Sequence, residues 1–195
     1  MKYIFYLVGL ISLTSCLKEE EPIAPFDRGG VQLGGIDIND NSDYSKQIYY
    51  DIEKNEVVRT VERSSWDLAF ESAPGGIHIL TNTASKVTVA KTGETDFANV
   101  TDLSAMTLNF KWDDASGNED SLALKDWISG GVPTNEVFVV DRGEKPNLVA
   151  RGVKKLKIIS VSSTEFVIQF ANMNGTDFQT MAIPKNQNKH FTAFS

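Results

Sequence analysis

The chain has 195 residues, 41% of them hydrophobic and 23% charged, with one cysteine and two histidines. That length and apolar content suit one folded domain with an appended segment, and exclude a disordered protein. A formal charge of −7, from 19 basic and 26 acidic residues, argues against a nucleic-acid partner, whose phosphates are bound by Lys and Arg. One cysteine excludes an internal disulfide framework and a thiolate metal cluster, and two histidines exclude a multi-histidine centre.

At the N-terminus, Lys2 precedes an apolar run over residues 3–11. The run is too short to span a bilayer and has the make-up of a secretory signal. It ends in Leu13-Thr14-Ser15-Cys16, which resembles a bacterial lipobox. The resemblance implies cleavage after residues 1–15 and a diacylglyceryl group on the Cys16 sulfur. Two acyl chains give a stable membrane anchor. A plain signal peptide with a chance cysteine is the alternative.

Leu17-Lys18-Glu19-Glu20-Glu21 resembles the surface-export signals of Bacteroidetes lipoproteins, with a solvated tether as the plainer reading. Residues 16–45 are rich in Pro, Gly, Asp, Asn and Glu and read as a flexible spacer. Within it, residues 37–43 place oxygen side chains at alternate positions, as a calcium loop would. They lack the glycine at position six, and Ile48 stands where a bidentate Glu is needed.

Residues 46–195 read as one β domain. Residues 47–52 and 57–61 flank Glu53-Lys54-Asn55 and predict a hairpin. Residues 66–70, 77–80 and 86–90 are short strand candidates. Residues 107–112 and 165–170 alternate polar and apolar side chains, the period of a strand with one buried face. Residues 136–141 and 147–151 flank a Gly- and Pro-containing turn and predict a second hairpin. Residues 156–161 and 179–183 add two more strands, and residues 189–195 read as a closing strand of the same sheet, with the start of a second, similar domain as the alternative. One short helix is expected over residues 120–129, with Leu122, Leu124 and Trp127 at partial helical spacing and Gly130-Gly131 as its stop. Residues 101–106 predict a single turn. The fold class is therefore all-β, an antiparallel sandwich or meander with one short helix.

No nucleophile elbow, P-loop, zinc motif or dinucleotide fingerprint occurs. Asp113 and Asp114 form a carboxylate pair, but in loop-like context that does not drive their pKa values apart. The chain reads as a binding protein and not as an enzyme.

The stretch Tyr49-Tyr50, Glu56-Val57-Val58, Trp66-Asp67-Leu68-Ala69-Phe70 and Asn82 resembles the N-terminal signature of the HmuY family. Val137-Phe138-Val139-Val140, Arg142-Gly143 and Lys155-Leu156-Lys157 extend the resemblance, which covers residues 46–172. It implies an all-β surface lipoprotein of the outer membrane that captures haem for a TonB-dependent receptor. The familiar pattern takes two His from the middle of the chain, where residues 91–135 hold none. Met106 is the one Met there and is a candidate axial ligand, with a core role as the alternative. His78, between Ile77 and Ile79, is the second candidate, with a hydrogen-bonded strand histidine as the alternative. Trp66 is expected to fill the core, and Asp67 to bond a nearby backbone amide.

Overall fold

The computed structural model describes residues 44–195. The signal, Cys16, the export-like segment, the calcium-like loop and all but the end of the spacer lie outside the described residues. The first described element is a hairpin of β1 (Lys46–Asp51) and β2 (Glu56–Glu62), turned at Asn55 with φ 56°. It forms a two-stranded sheet of its own. Its root is fixed by the buried Asn82, whose amide donates to the carbonyls of Arg63 (2.7 Å) and Trp66 (2.8 Å).

The body is two antiparallel sheets that share a core, plus a two-residue ribbon. The smaller sheet comprises β3 (Leu68–Glu71), β4 (Ile79–Thr81) and β12 (Phe191–Phe194), in the order β12-β3-β4. The larger sheet comprises β5 (Thr88–Lys91), β8 (Val137–Asp141), β9 (Val153–Val161), β10 (Glu165–Asn172) and β11 (Gln179–Pro184), in the order β11-β10-β9-β8-β5. The ribbon pairs β6 (Ile128–Ser129) with β7 (Val132–Pro133).

Alternation along the strands decides which residues meet. Leu68, Phe70 and Ile79 of the small sheet pack on Val89, Phe138, Val140, Leu156, Ile158, Phe166 and Ile168 of the large one. Phe70, Trp127 and Phe166 form the aromatic centre, with ring centroids 5.2 Å apart for Phe70–Phe166 and 5.8 Å for Trp127–Phe166. The intervening residues Val137 and Val139 face the other side of the large sheet. There they cluster with Val100 and with the partly buried Phe97, Leu103, Met106 and Leu108. Lys155, on β9 between core residues, also points to this second face and is buried. Its ammonium donates to the carbonyls of Phe97 and Val100, both at 2.9 Å, and lies 4.9 Å from the centre of the Phe97 ring, which straps those loops to the sheet.

Three expectations are corrected. The helix over residues 120–129 is replaced by two single 3₁₀ turns, Glu119–Ser121 and Lys125–Trp127, followed by β6. Leu122 is extended, and the Ala123 amide donates to Asp113 Oδ1 at 2.8 Å, so it is taken from any helical partner. Residues 107–112 make a single bridge, Lys111 to Val89, and not a strand. The segment is tied to the large sheet at Lys111 and to the small one at Asp113, whose Oδ2 accepts from the Thr81 amide at 2.6 Å. It therefore crosses between the sheets and runs along neither. In the second hairpin the return strand begins at Val153, and residues 147–151 belong to the connection. Gly143, with φ +67°, opens that connection where an added Cβ would lie 1.8 Å from the Ser85 carbonyl oxygen.

Candidate functional site

The two-sheet arrangement leaves a cavity of about 960 Å³ beside the small sheet. Pockets of about 300–1,000 Å³ take cofactor-sized ligands. Its lining is mostly apolar surface, supplied by Trp66, Leu80, Trp112, Leu122 and Phe191. Trp112 is 65% exposed. Trp66 is half-buried on the cavity wall and does not fill the core, which corrects the expectation for it.

His78 lies on this wall, just before β4. Glu71 is the residue that orients it. Phe191 pairs with Glu71 across β12 and β3, and the Glu71 amide donates to the His78 carbonyl at 2.9 Å. Glu71 Oε2 lies 2.7 Å from His78 Nδ1. The same oxygen accepts from the backbone amides of Ile77 (3.0 Å) and His78 (3.1 Å). On the other side of the ring, His78 Nε2 is 3.4 Å from Glu119 Oε2, whose side chain is 72% exposed. Further supports come from outside the wall. Trp127 Nε1 donates to the Ile77 carbonyl at 3.0 Å, and Lys185 Nζ donates to the Gly76 carbonyl at 2.6 Å.

Burial pushes the Glu71 carboxyl up, but hydrogen bonds from His78 and Ile77 and the nearby imidazole outweigh it, leaving its pKa below the ordinary value. A carboxylate with a depressed folded pKa adds stability above its unfolded pKa, about 4.3, and that stability is lost as pH falls through the folded value. Glu71→Gln is therefore expected to cost about 1–2 kcal/mol at neutral pH. It should also flatten the acid limb of a stability–pH curve measured by urea unfolding. An unchanged acid limb would contradict this role for Glu71.

Asp113 pins the outer wall. Its carboxylate accepts from Thr81 and Ala123, joining the loop that carries Trp112, Asp114 and Glu119 to β4. Asp114 accepts from the Ser116 amide at 2.8 Å. Lys86 reaches the rim, where its ammonium lies 2.6 Å from Glu144 Oε2.

The two ligand candidates are not brought together. Met106 packs on the second face of the large sheet with Val100, Val137 and Val139, and is not among the residues lining the cavity. His190 lines a smaller pocket of about 250 Å³ that shares Glu71 and Phe191 with the large cavity. Sequence reasoning missed Glu71, Trp112 and Glu119 as site residues. Their signal is weak in the chain, because each becomes meaningful only beside His78 across a strand or loop. Asp67 departs from expectation as well: it bonds arginines, with Arg142 Nε at 2.7 Å and Arg151 Nη1 at 2.5 Å.

Among the described residues, no helix is long and apolar enough to cross a membrane. No curated protein and no solved structure gives a significant match to the chain. The family model described as HmuY protein matches residues 43–193, which takes in every described strand to within a residue of the end of β12. By that match, and with the antiparallel β architecture in agreement, the chain belongs to the HmuY family.

Proposed function

We propose that this chain is a cell-surface lipoprotein that captures haem or a related metalloporphyrin in the His78 cavity. In this reading acylated Cys16 anchors it in the outer membrane, and the ligand passes to a TonB-dependent outer-membrane receptor. The observation that carries the reading is the oriented imidazole on an aromatic-walled cavity. His78 is the one His, Met or Tyr among the described lining residues. Its Nδ1 is held by Glu71, the carboxylate–histidine pairing that fixes the ring and raises the basicity of a metal-ligating nitrogen. The donor set fits a metalloporphyrin with one protein ligand, His78 Nε2, once the exposed Glu119 side chain 3.4 Å from it swings aside. The bound group would supply the metal centre, with His78 to hold it and Trp66, Trp112 and Phe191 as apolar wall for the macrocycle.

The test is a haem titration of the purified chain, followed by the Soret band in the ferric and ferrous states. A His78-dependent shift is expected, with His78→Ala weakening binding at least about tenfold, within the range seen when metal-site support is lost. Met106→Ala should leave the spectrum unchanged. Absence of any Soret shift both with haem and with its uncharged-edge dimethyl ester, or an equal shift in His78→Ala, would overturn the assignment.

A second reading is a protein-interaction lipoprotein without a porphyrin site. The β1–β2 hairpin favours it, since among the described residues it pairs with no other sheet and exposes Tyr49, Ile52, Val57 and Val58.

A further inference from the structure

Charge on the cavity wall is one-sided. Glu71, Asp113, Asp114 and Glu119 line it, against Lys86 as the one Lys or Arg among the described lining residues. The inner carboxylates, Glu71 and Asp113, are held by backbone amides. The outer pair stands at the mouth, where Glu119 is largely exposed. Hydrogen bonds from the Ser116 hydroxyl and amide hold the Asp114 carboxyl below the ordinary carboxylate range, so it is ionised at neutral pH.

The lysine is already engaged. Lys86 Nζ lies 2.6 Å from Glu144, and the His78 ring stands between Glu71 and Glu119. Lys86, the one Lys or Arg among the described lining residues, therefore has a carboxylate partner. Haem carries propionates, and a site that receives them normally offers Arg or Lys. Here a propionate would meet carboxylates of the same sign. One such pair about 4 Å apart weakens binding about fivefold even in water, and more where water is excluded.

The apolar part of the wall has no such conflict. Trp66, Trp112, Leu80 and Leu122 offer area to a planar ring whatever its edge carries. We propose, resting on the reading of the cavity given above, that its ligand is a metallotetrapyrrole with an uncharged, amide- or ester-bearing periphery and not a propionate-bearing haem. His78 takes the metal, and the acidic mouth rejects carboxylate edges.

The test compares haem with its dimethyl ester and its diamide, in one detergent-containing buffer. These probes share the ring and the metal and differ only in charge at the edge. Binding to the full chain is read by quenching of tryptophan fluorescence and by the Soret band. The uncharged forms are expected to bind at least about tenfold more tightly than haem, from two close like-charge pairs. Raising salt from about 0.05 M to about 0.5 M should tighten haem binding and leave the diamide unchanged, because salt screens the repulsion.

The variant Asp114→Asn with Glu119→Gln should tighten haem about tenfold without affecting the ester. Haem binding as tightly as the uncharged forms overturns this inference, while a His78-dependent Soret shift leaves the porphyrin assignment standing. A variant that tightens neither ligand, or both alike, also overturns this inference. No shift with any of the three probes overturns the porphyrin assignment and this inference together.

Discussion

Replacing Asp67 by alanine is expected to destabilise the fold by about 3–5 kcal/mol, the range for removing one partner of a buried ion pair. Asp67 is 4% exposed, and the side chains of its partners Arg142 and Arg151 are 24% and 5% exposed. The Arg142 contact is a well-formed hydrogen bond at 2.7 Å. The Arg151 contact is close, at 2.5 Å, but lacks hydrogen-bond alignment and counts as an ion pair. Without the carboxylate, Arg151 stays buried with its charge uncompensated. Among the described residues its side chain then keeps one hydrogen bond, from Nη1 to the Arg142 carbonyl at 2.9 Å. The backbone around Asp67 also joins β3 to its surroundings, with its amide donating to Phe194 and its carbonyl accepting from Asn82. Urea unfolding followed by tryptophan fluorescence measures the loss. The double variant Asp67→Ala with Arg151→Met should recover part of it, because both charges are then gone. A loss below about 1 kcal/mol would place the network with exposed surface pairs and contradict this account.

Trp127→Ala is expected to cost about 3–5 kcal/mol, the range for removing a buried aromatic ring and leaving a cavity. Trp127 is 2% exposed and packs in the main core against Phe166. Its indole N–H also holds the Ile77 carbonyl, one residue before His78. Trp127→Phe separates the two roles. It keeps most of the ring volume and loses the donor, so about 1–2 kcal/mol is expected. If Trp127→Phe matches Trp127→Ala, the hydrogen bond and not the packing dominates. Thermal or urea unfolding of both variants decides between them.

Much of the β architecture is legible in the chain. The β1–β2 hairpin, the β3 and β4 strands, and the long β9 and β10 strands follow from alternation and turn chemistry at the expected places. Expectation failed where one distant residue captured the backbone. Asp113 takes the Ala123 amide and dissolves a helix that Leu122, Leu124 and Trp127 suggested. The same side chain pulls residues 107–112 away from strand pairing. The site was half legible. His78 could be singled out as a rare imidazole, but Glu71, Trp112 and Glu119 are ordinary residues in sequence. Met106 looked equivalent to His78 until packing put it on the second face of the large sheet.

The amino-acid sequence by itself determined the class: a single-cysteine, acidic, all-β chain whose Trp66-Asp67 strand and lipobox-like leader resemble one family. It did so because strand periodicity, turn residues and leader composition are local properties, read over a few neighbouring positions. The tertiary structure alone decided which carboxylates surround His78 and that Lys86 is spent on Glu144. Both depend on residues up to 58 positions apart meeting at hydrogen-bond distance. The charge of a cavity wall is a sum over side chains that only folding brings together, so it is not written in any local pattern.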